Sequence, residues 1–511
     1  MFFRFAGEWT GVACNRKIQM MTNTGQFTEG TKRFICGAGV AALCFLLVHL
    51  MMIFRFAPFG DEVWDLSGAC WGIYLSAGRY TVTLCRMLFS DCGVPVAYGI
   101  TASVFFGLAV AVQMEVLKVR ASWSRVVYIA ASVGIIQISY LMINAFIADA
   151  VCMGLFSASL AFYFYEKWSR ERQVKDLLLS VPLGVLALGS YQLLAMLLPC
   201  LMLATLLMKR DECPQESVWG LFRKLACCAG WCLVILVFNL LAVRVGKMFC
   251  SAADLKLVAD YQASMITLGQ LDVVTHVLHM GKQWCMHLVG ISYPGEWVYA
   301  TALVAVALLL KDIARMERPV ALRLCYAMLV ICLYVIPFLP IAAMGEDHGA
   351  RLFLSQPLAC AALWVLALSP RIHKLPAWLV GGLCLLVVLK SAYIVSDTAF
   401  YQKRLYDQSL ENRTEILAKA WMTPLPAGVD ACACPIVIQG ERRAPMHEND
   451  RYNSCIPAAG NEYLEQYLGS RNISCVIPGR NKYAEVFSQM PVYPAEGCMR
   501  YHEGAILVKL K

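Results

Sequence analysis

Long apolar runs separated by short polar ones dominate this chain, in place of the two- or 3.6-residue alternation of half-buried soluble elements. Eleven stretches are long enough, or nearly so, to cross a bilayer as helices: 34–54, 94–116, 126–143, 145–165, 177–188, 193–208, 225–243, 297–310, 325–343, 352–368 and 375–395. The fifth and sixth share a polar break, Gly189-Ser190-Tyr191-Gln192, which predicts a tight turn between two helices rather than one over-long helix. In the long loop 55–93, the amphipathic stretch Tyr80–Phe89 predicts a helix lying in the membrane interface. The other long loop, 244–296, is mostly helical in pattern. Beyond residue 395 the pattern changes. Residues 397–422 read as an amphipathic helix with Tyr401, Leu405, Leu410, Ile416 and Ala420 on one side, and short β-like runs follow at 435–439, 474–478 and 504–510. The fold expected is an all-α polytopic membrane bundle of about 11 transmembrane helices (1–33 a tail, 34–395 the bundle), with a small α/β domain over 396–511.

Composition agrees: 59% of the residues are hydrophobic and only 15% charged, which excludes an ordinary soluble enzyme or a disordered scaffold. The net charge of +9 would suggest nucleic acid in a soluble protein. Here the placement of the charge decides. With eleven spans, one set of loops carries 22 Lys and Arg and the opposite set, before the tail, only 8. Basic loops stay cytoplasmic, so the N-terminus is expected inside and the C-terminal domain outside, periplasmic in a bacterial inner membrane. No nucleic-acid partner is implied. Eighteen of the 23 cysteines precede residue 396, mostly within apolar runs, where they read as small packing residues. The other five, Cys432, Cys434, Cys455, Cys475 and Cys498, would face an oxidising compartment and could form one or two disulfides, whose pairing spacing does not specify. No Cys/His cluster has zinc-site spacing, and the first apolar run is too long for the core of a cleavable signal.

Polar side chains gather at the outward ends of the spans. Loop one carries Asp61, Glu62 and Asp65 among aromatics that include Trp64, followed by Gly78-Arg79. Asp61 and Asp65 stand four apart and would share a helix face. Asp149 sits at the outer end of the fourth span, Tyr191 and Gln192 at the third outward turn, and Glu346, Asp347, His348 and Arg351 between spans nine and ten. Acids beside a bilayer are costly to desolvate and often functional.

With these residues the sequence resembles the polyprenyl-phosphate-sugar-dependent membrane glycosyltransferases of GT-C type, most like the type II Gtr glucosyltransferases that modify O-antigen and convert serotype. The resemblance rests on Asp61-Glu62 with Asp65, Gly78-Arg79, Tyr191-Gln192, the Arg351 loop, and Asp407 to Ala418 leading to the run at 435–440. The chain departs from that pattern at Glu62, where a second Asp is expected, and in having no Arg between the acidic pair and Arg79.

The resemblance implies an inverting transfer of a sugar, glucose first, from an undecaprenyl-phosphate donor at the outer leaflet to a cell-surface glycan such as O-antigen. No further cofactor and no metal is required. A sugar hydroxyl is a poor nucleophile and needs a carboxylate to take its proton, a role suited to Asp61, with Glu62 as the second candidate. The departing phosphate calls for a guanidinium, Arg351 or Arg79. Asp65, Trp64, Asp149, Tyr191, Gln192, Glu346, Asp347 and His348 are the candidates for acceptor or sugar binding. An O-antigen polymerase or ligase and a lipid-linked glycan transporter are the alternatives. A transporter calls for charged residues deep in several spans, and these spans are nearly free of them.

Overall fold

The computed structural model describes residues 29–54, 70–89, 95–134, 145–212, 216–252, 254–256, 258–259, 273–288, 297–340, 353–430, 434–439, 473–476 and 482–510. The chain is a helical membrane protein with a small sheet. In order come α1 (Glu29–Phe54), α2 (Cys70–Ser76), α3 (Tyr80–Phe89), α4 (Pro95–Val116), α5 (Ser122–Gly134), α6 (Ala145–Glu171) and α7 (Val174–Ser190). A 3-10 turn (Gln192–Met196) leads into α8 (Leu197–Met208), followed by α9 (Val218–Lys247), α10 (Val273–Leu288), α11 (Trp297–Ala300), α12 (Ala302–Ala314) and α13 (Val320–Val335). Then come α14 (Gln356–Leu368), α15 (Ala377–Trp421), β1 (Ile436–Gln439), β2 (Ile473–Val476), α16 (Ala484–Gln489), β3 (Met499–His502) and β4 (Ala505–Lys509).

Within the described residues, each of the eleven apolar stretches falls largely on helix. A run in lipid must satisfy its backbone polar groups internally, which leaves the helix as its default. Among the described residues, seven helices are both long and apolar enough to cross a membrane. Gln192–Met208 and Gln356–Leu368 are shorter apolar helices. Burial runs against hydropathy. Val218–Lys247, with mean hydropathy 2.4, is 22% buried, whereas Ile147–Glu171, at 1.6, is 72% buried. A helix whose outer face meets water would show the reverse trend. Exposed Leu233, Phe238, Leu240 and Leu241 on α9 are what lipid would cover. The central helix α6 packs against α4 and α7, and α4 packs in turn on α1.

The chain reverses at the predicted break. Tyr191 leaves the helix with extended dihedrals, φ −158° and ψ 119°. Lys167 reaches Asp176 at the start of α7 (3.4 Å), and Glu166, its neighbour, pairs with Lys209 just past α8. Both ends of the α7–α8 pair therefore lie beside the end of α6.

Ion pairs and capping bonds join all six groups of basic-rich loops at one end of the bundle. Arg125 donates to the Arg33 carbonyl (2.5 Å), Lys118 pairs with Glu212 (2.6 Å), Arg318 donates to the Arg210 carbonyl (3.2 Å) and Arg371 to Asp312 (2.9 Å). The Lys118 ammonium holds Glu212 below the usual carboxylate range.

The composition shift at residue 396 is not a backbone break. Helix α15 continues through it for 45 residues, about 68 Å at 1.5 Å per residue, far more than one crossing requires. Its final turns enter the sheet's core, where Ile416 and Ala420 are fully buried with Ile436, Ile506 and Val508. The strand order is β2-β1-β4-β3, with β1 parallel to β2 and β4, and β3 antiparallel to β4. Strand β3 has no counterpart among the β-like runs seen in the sequence. It joins β4 through Glu503-Gly504, both at positive φ (43° and 81°), a two-residue hairpin turn that matches strand twist.

Candidate functional site

The end of the bundle opposite the basic-rich loops is built around the turn between α2 and α3. Gly78, at φ +77°, ends α2: its N–H bonds the Leu75 carbonyl at 3.1 Å, and the Arg79 N–H bonds the Tyr74 carbonyl at 2.7 Å. These are the paired bonds of a left-handed glycine cap. A Cβ at Gly78 would lie 3.0 Å from both Gln192 Nε2 and Val243 Cγ2, so conformation and space both call for glycine. The next helix begins at once, the Val82 N–H bonding the Arg79 carbonyl at 3.0 Å.

Two sequence motifs more than a hundred positions apart meet here. Gln192 donates its amide to the Ala77 carbonyl at 2.8 Å, and the Arg79 guanidinium carbon lies 5.2 Å from the centre of the Tyr191 ring. The break between α7 and α8 thus forms a shelf that holds the α2–α3 turn, with Arg79 stacked on its aromatic face. Tyr191 and Gln192 act here on Arg79 and its turn. Half-buried Arg79 has no acidic partner among the described residues.

Helix α3 coincides with the stretch expected to lie in the interface, but one face is packed on protein. Tyr80 donates to the Val185 carbonyl (2.6 Å), and Thr81 donates to the Leu186 carbonyl (2.8 Å). Val82 and Cys85 are buried, while Leu84 and Met87 are exposed. The helix is both a bundle element and an apolar outer surface.

Asp149 is engaged by a residue that the sequence did not single out. Arg86 grips it with two bonds, Nη1 to Oδ2 at 3.1 Å and Nη2 to Oδ1 at 2.9 Å, and both side chains are 4% exposed. Oδ1 also accepts from the Ala150 N–H at 2.7 Å, and the ring of Tyr98 covers Arg86 at 4.1 Å. This closed pair ties α3 to α6, and the carboxylate faces Arg86 instead of an open loop. The only hint in the sequence was a lone Arg two helical turns after Arg79, in a stretch otherwise without charge.

Asp61, Glu62, Trp64, Asp65, Glu346, Asp347, His348 and Arg351 lie outside the described residues. The residues flanking their loops are placed. Loop one enters α2 directly. Phe353, two residues past Arg351, is buried 4.7 Å from the His287 ring of α10 and 5.6 Å from Phe338 (ring centroids).

Compared with known protein families and with curated proteins, the chain matches none.

Proposed function

We propose that this membrane protein is an inverting glycosyltransferase that moves a hexose, glucose first, from a polyprenyl-phosphate donor to a cell-surface glycan such as O-antigen. The observation that carries the reading is Arg79. A guanidinium half-buried at the membrane end of a bundle is costly without an anion, and among the described residues Arg79 pairs with no acid, while the buried Asp149 is taken by Arg86. A phosphate monoester or diester presented at that end would supply the missing charge, and a planar fork binds it with two bonds. As the glycosidic bond breaks, negative charge grows on the departing phosphate, and Arg79 together with Arg351 stabilises it. Asp61 takes the proton of the attacking acceptor hydroxyl, and Glu62 orients the acceptor. A single displacement inverts the anomeric carbon. Eleven crossings put the basic end in the cytoplasm of a bacterial cell and loop one, with the C-terminal domain, in the periplasm.

The test is sugar transfer in membranes from polyprenyl-phosphate glucose to lipopolysaccharide. Wild type is expected to transfer. Asp61→Asn is expected to lose at least a hundredfold in rate, the scale of a missing general base. Arg79→Ala should lose rate, with partial rescue by Arg79→Lys. Full activity in Asp61→Asn, Glu62→Gln and Arg79→Ala alike would refute the reading and favour polymerase, ligase or transporter.

A further inference from the structure

The bundle's interior holds a polar chain far from the loop-one turn. The Tyr128 hydroxyl donates to Gln113 Oε1 at 3.0 Å, Gln113 Nε2 donates to Ser159 Oγ at 3.0 Å, and Ser159 Oγ donates to the Leu155 carbonyl at 2.8 Å. Four groups on α4, α5 and α6 are thereby joined. One turn beyond Tyr128 on α5 stands Ser132, 2% exposed, whose hydroxyl has no hydrogen-bond partner among the described residues. Some buried helical hydroxyls avoid that state by bonding back, Ser103 to the Gly99 carbonyl at 2.8 Å and Thr205 to the Leu201 carbonyl at 2.7 Å. Ser132, like Thr83 and Ser124, does not, and Ser132 is the one that lines a cavity with Gln113.

Ser132 and Gln113 line the same small cavity, whose other lining groups are apolar and include Leu155 of α6, Leu197 of α8, and Leu354 and Pro357 at the start of α14. The space admits one water molecule and little more. Gln113 keeps one amide hydrogen and one carbonyl lone pair in reserve, because each end of its amide makes a single bond in this network. In a bilayer no bulk water is at hand to satisfy an orphan hydroxyl, so a cavity with an unmet donor and acceptor strongly favours an internal water.

We propose that this cavity binds one water, which bonds Ser132 Oγ and the Gln113 amide and completes a polar network across α4, α5 and α6, beneath α8 and α14. The site is independent of the catalytic reading.

The test uses the full chain in lipid nanodiscs, at a resolution that shows ordered water. Density is expected within hydrogen-bond distance of both Ser132 Oγ and the Gln113 amide. An empty cavity, or a Ser132 hydroxyl turned onto the Tyr128 carbonyl, would overturn the proposal. Thermal melts give a second readout with opposite signs. Ser132→Ala removes one partner of the water and should lower Tm by a few degrees. Ser132→Val expels the water and leaves Gln113 unmet, so Tm should fall at least as far. With a dry cavity, Ser132→Ala would relieve an orphan hydroxyl and Ser132→Val would fill space. A Tm unchanged or raised in both variants therefore sinks the idea.

Discussion

At the scale of single residues, the end opposite the basic-rich loops turns on which charges are paired. Arg86 and Asp149 neutralise each other in a protein-lined site, whereas Arg79 rests on an aromatic face with no acid beside it among the described residues. Removing one member of a buried pair strands the other charge, so Asp149→Asn and Arg86→Met are each expected to cost about 3–5 kcal/mol. The double replacement Arg86→Met with Asp149→Asn should recover most of that loss, because no charge remains to desolvate. Denaturation of the four proteins in the same detergent measures the cycle. Equal and additive losses would mean that the two side chains act separately. Asp149 was legible in the sequence as an acid at a helix end. Its partner was not, since the pairing spans 63 positions and sequence spacing carries no information on it.

At the scale of elements, α15 links the two parts of the chain without a joint. Ala399, three residues past the composition change, is still buried in the bundle's core, and Ile416 and Ala420 in the sheet's. Below them, Lys419 and Tyr493 both bond the Glu415 carboxylate at 2.7 Å, and Glu415 holds the Lys419 ammonium above the usual lysine range. Proline at position 399 would remove a backbone donor and clash with the preceding turn, at a cost of about 3 kcal/mol or more. In Ala399→Pro, limited proteolysis is therefore expected to cut near the substitution and release the C-terminal sheet. The wild-type helix should resist cleavage there. A protease pattern identical to wild type would show that α15 is no rigid strut. The sequence signalled two segments here because composition changes at 396, but helix propensity does not, so the backbone runs on.

At the scale of the whole molecule, two ends are distinguished by their chemistry. One collects the six basic-rich loop groups through cross-loop bonds that run from Arg33 to Arg371. The other collects the α2–α3 turn, Tyr191-Gln192, Asp149 and the end of α9, where Gly246 approaches Leu75. Positive loops resist translocation, so a reporter that works only outside, such as alkaline phosphatase, should be silent when fused after residue 374 and active after residue 422. A cytoplasmic fluorescent reporter should give the opposite pattern. Activity on the same side at both points would break the odd number of crossings.

The sequence by itself determined where the helices lie, where α7 gives way to α8, which loops are basic, and three of the four strands. Those features are local. An apolar run in lipid has no partner for its backbone except itself, a Gly-Ser-Tyr-Gln break interrupts that run, and short runs rich in β-branched residues mark a strand within a few positions. Tertiary structure alone decided that Arg86 closes on Asp149, that Tyr191 carries Arg79, that Gly78 has no room for a side chain, and that Ser132 faces a cavity beside Gln113. It also decided that polar Met499–His502 becomes an edge strand, because β4 offers it a free row of backbone bonds. Each of these depends on groups brought together from distant parts of the chain. The free energy of a charge or an orphan hydroxyl is set by the neighbours that exclude water from it, and only packing determines those neighbours.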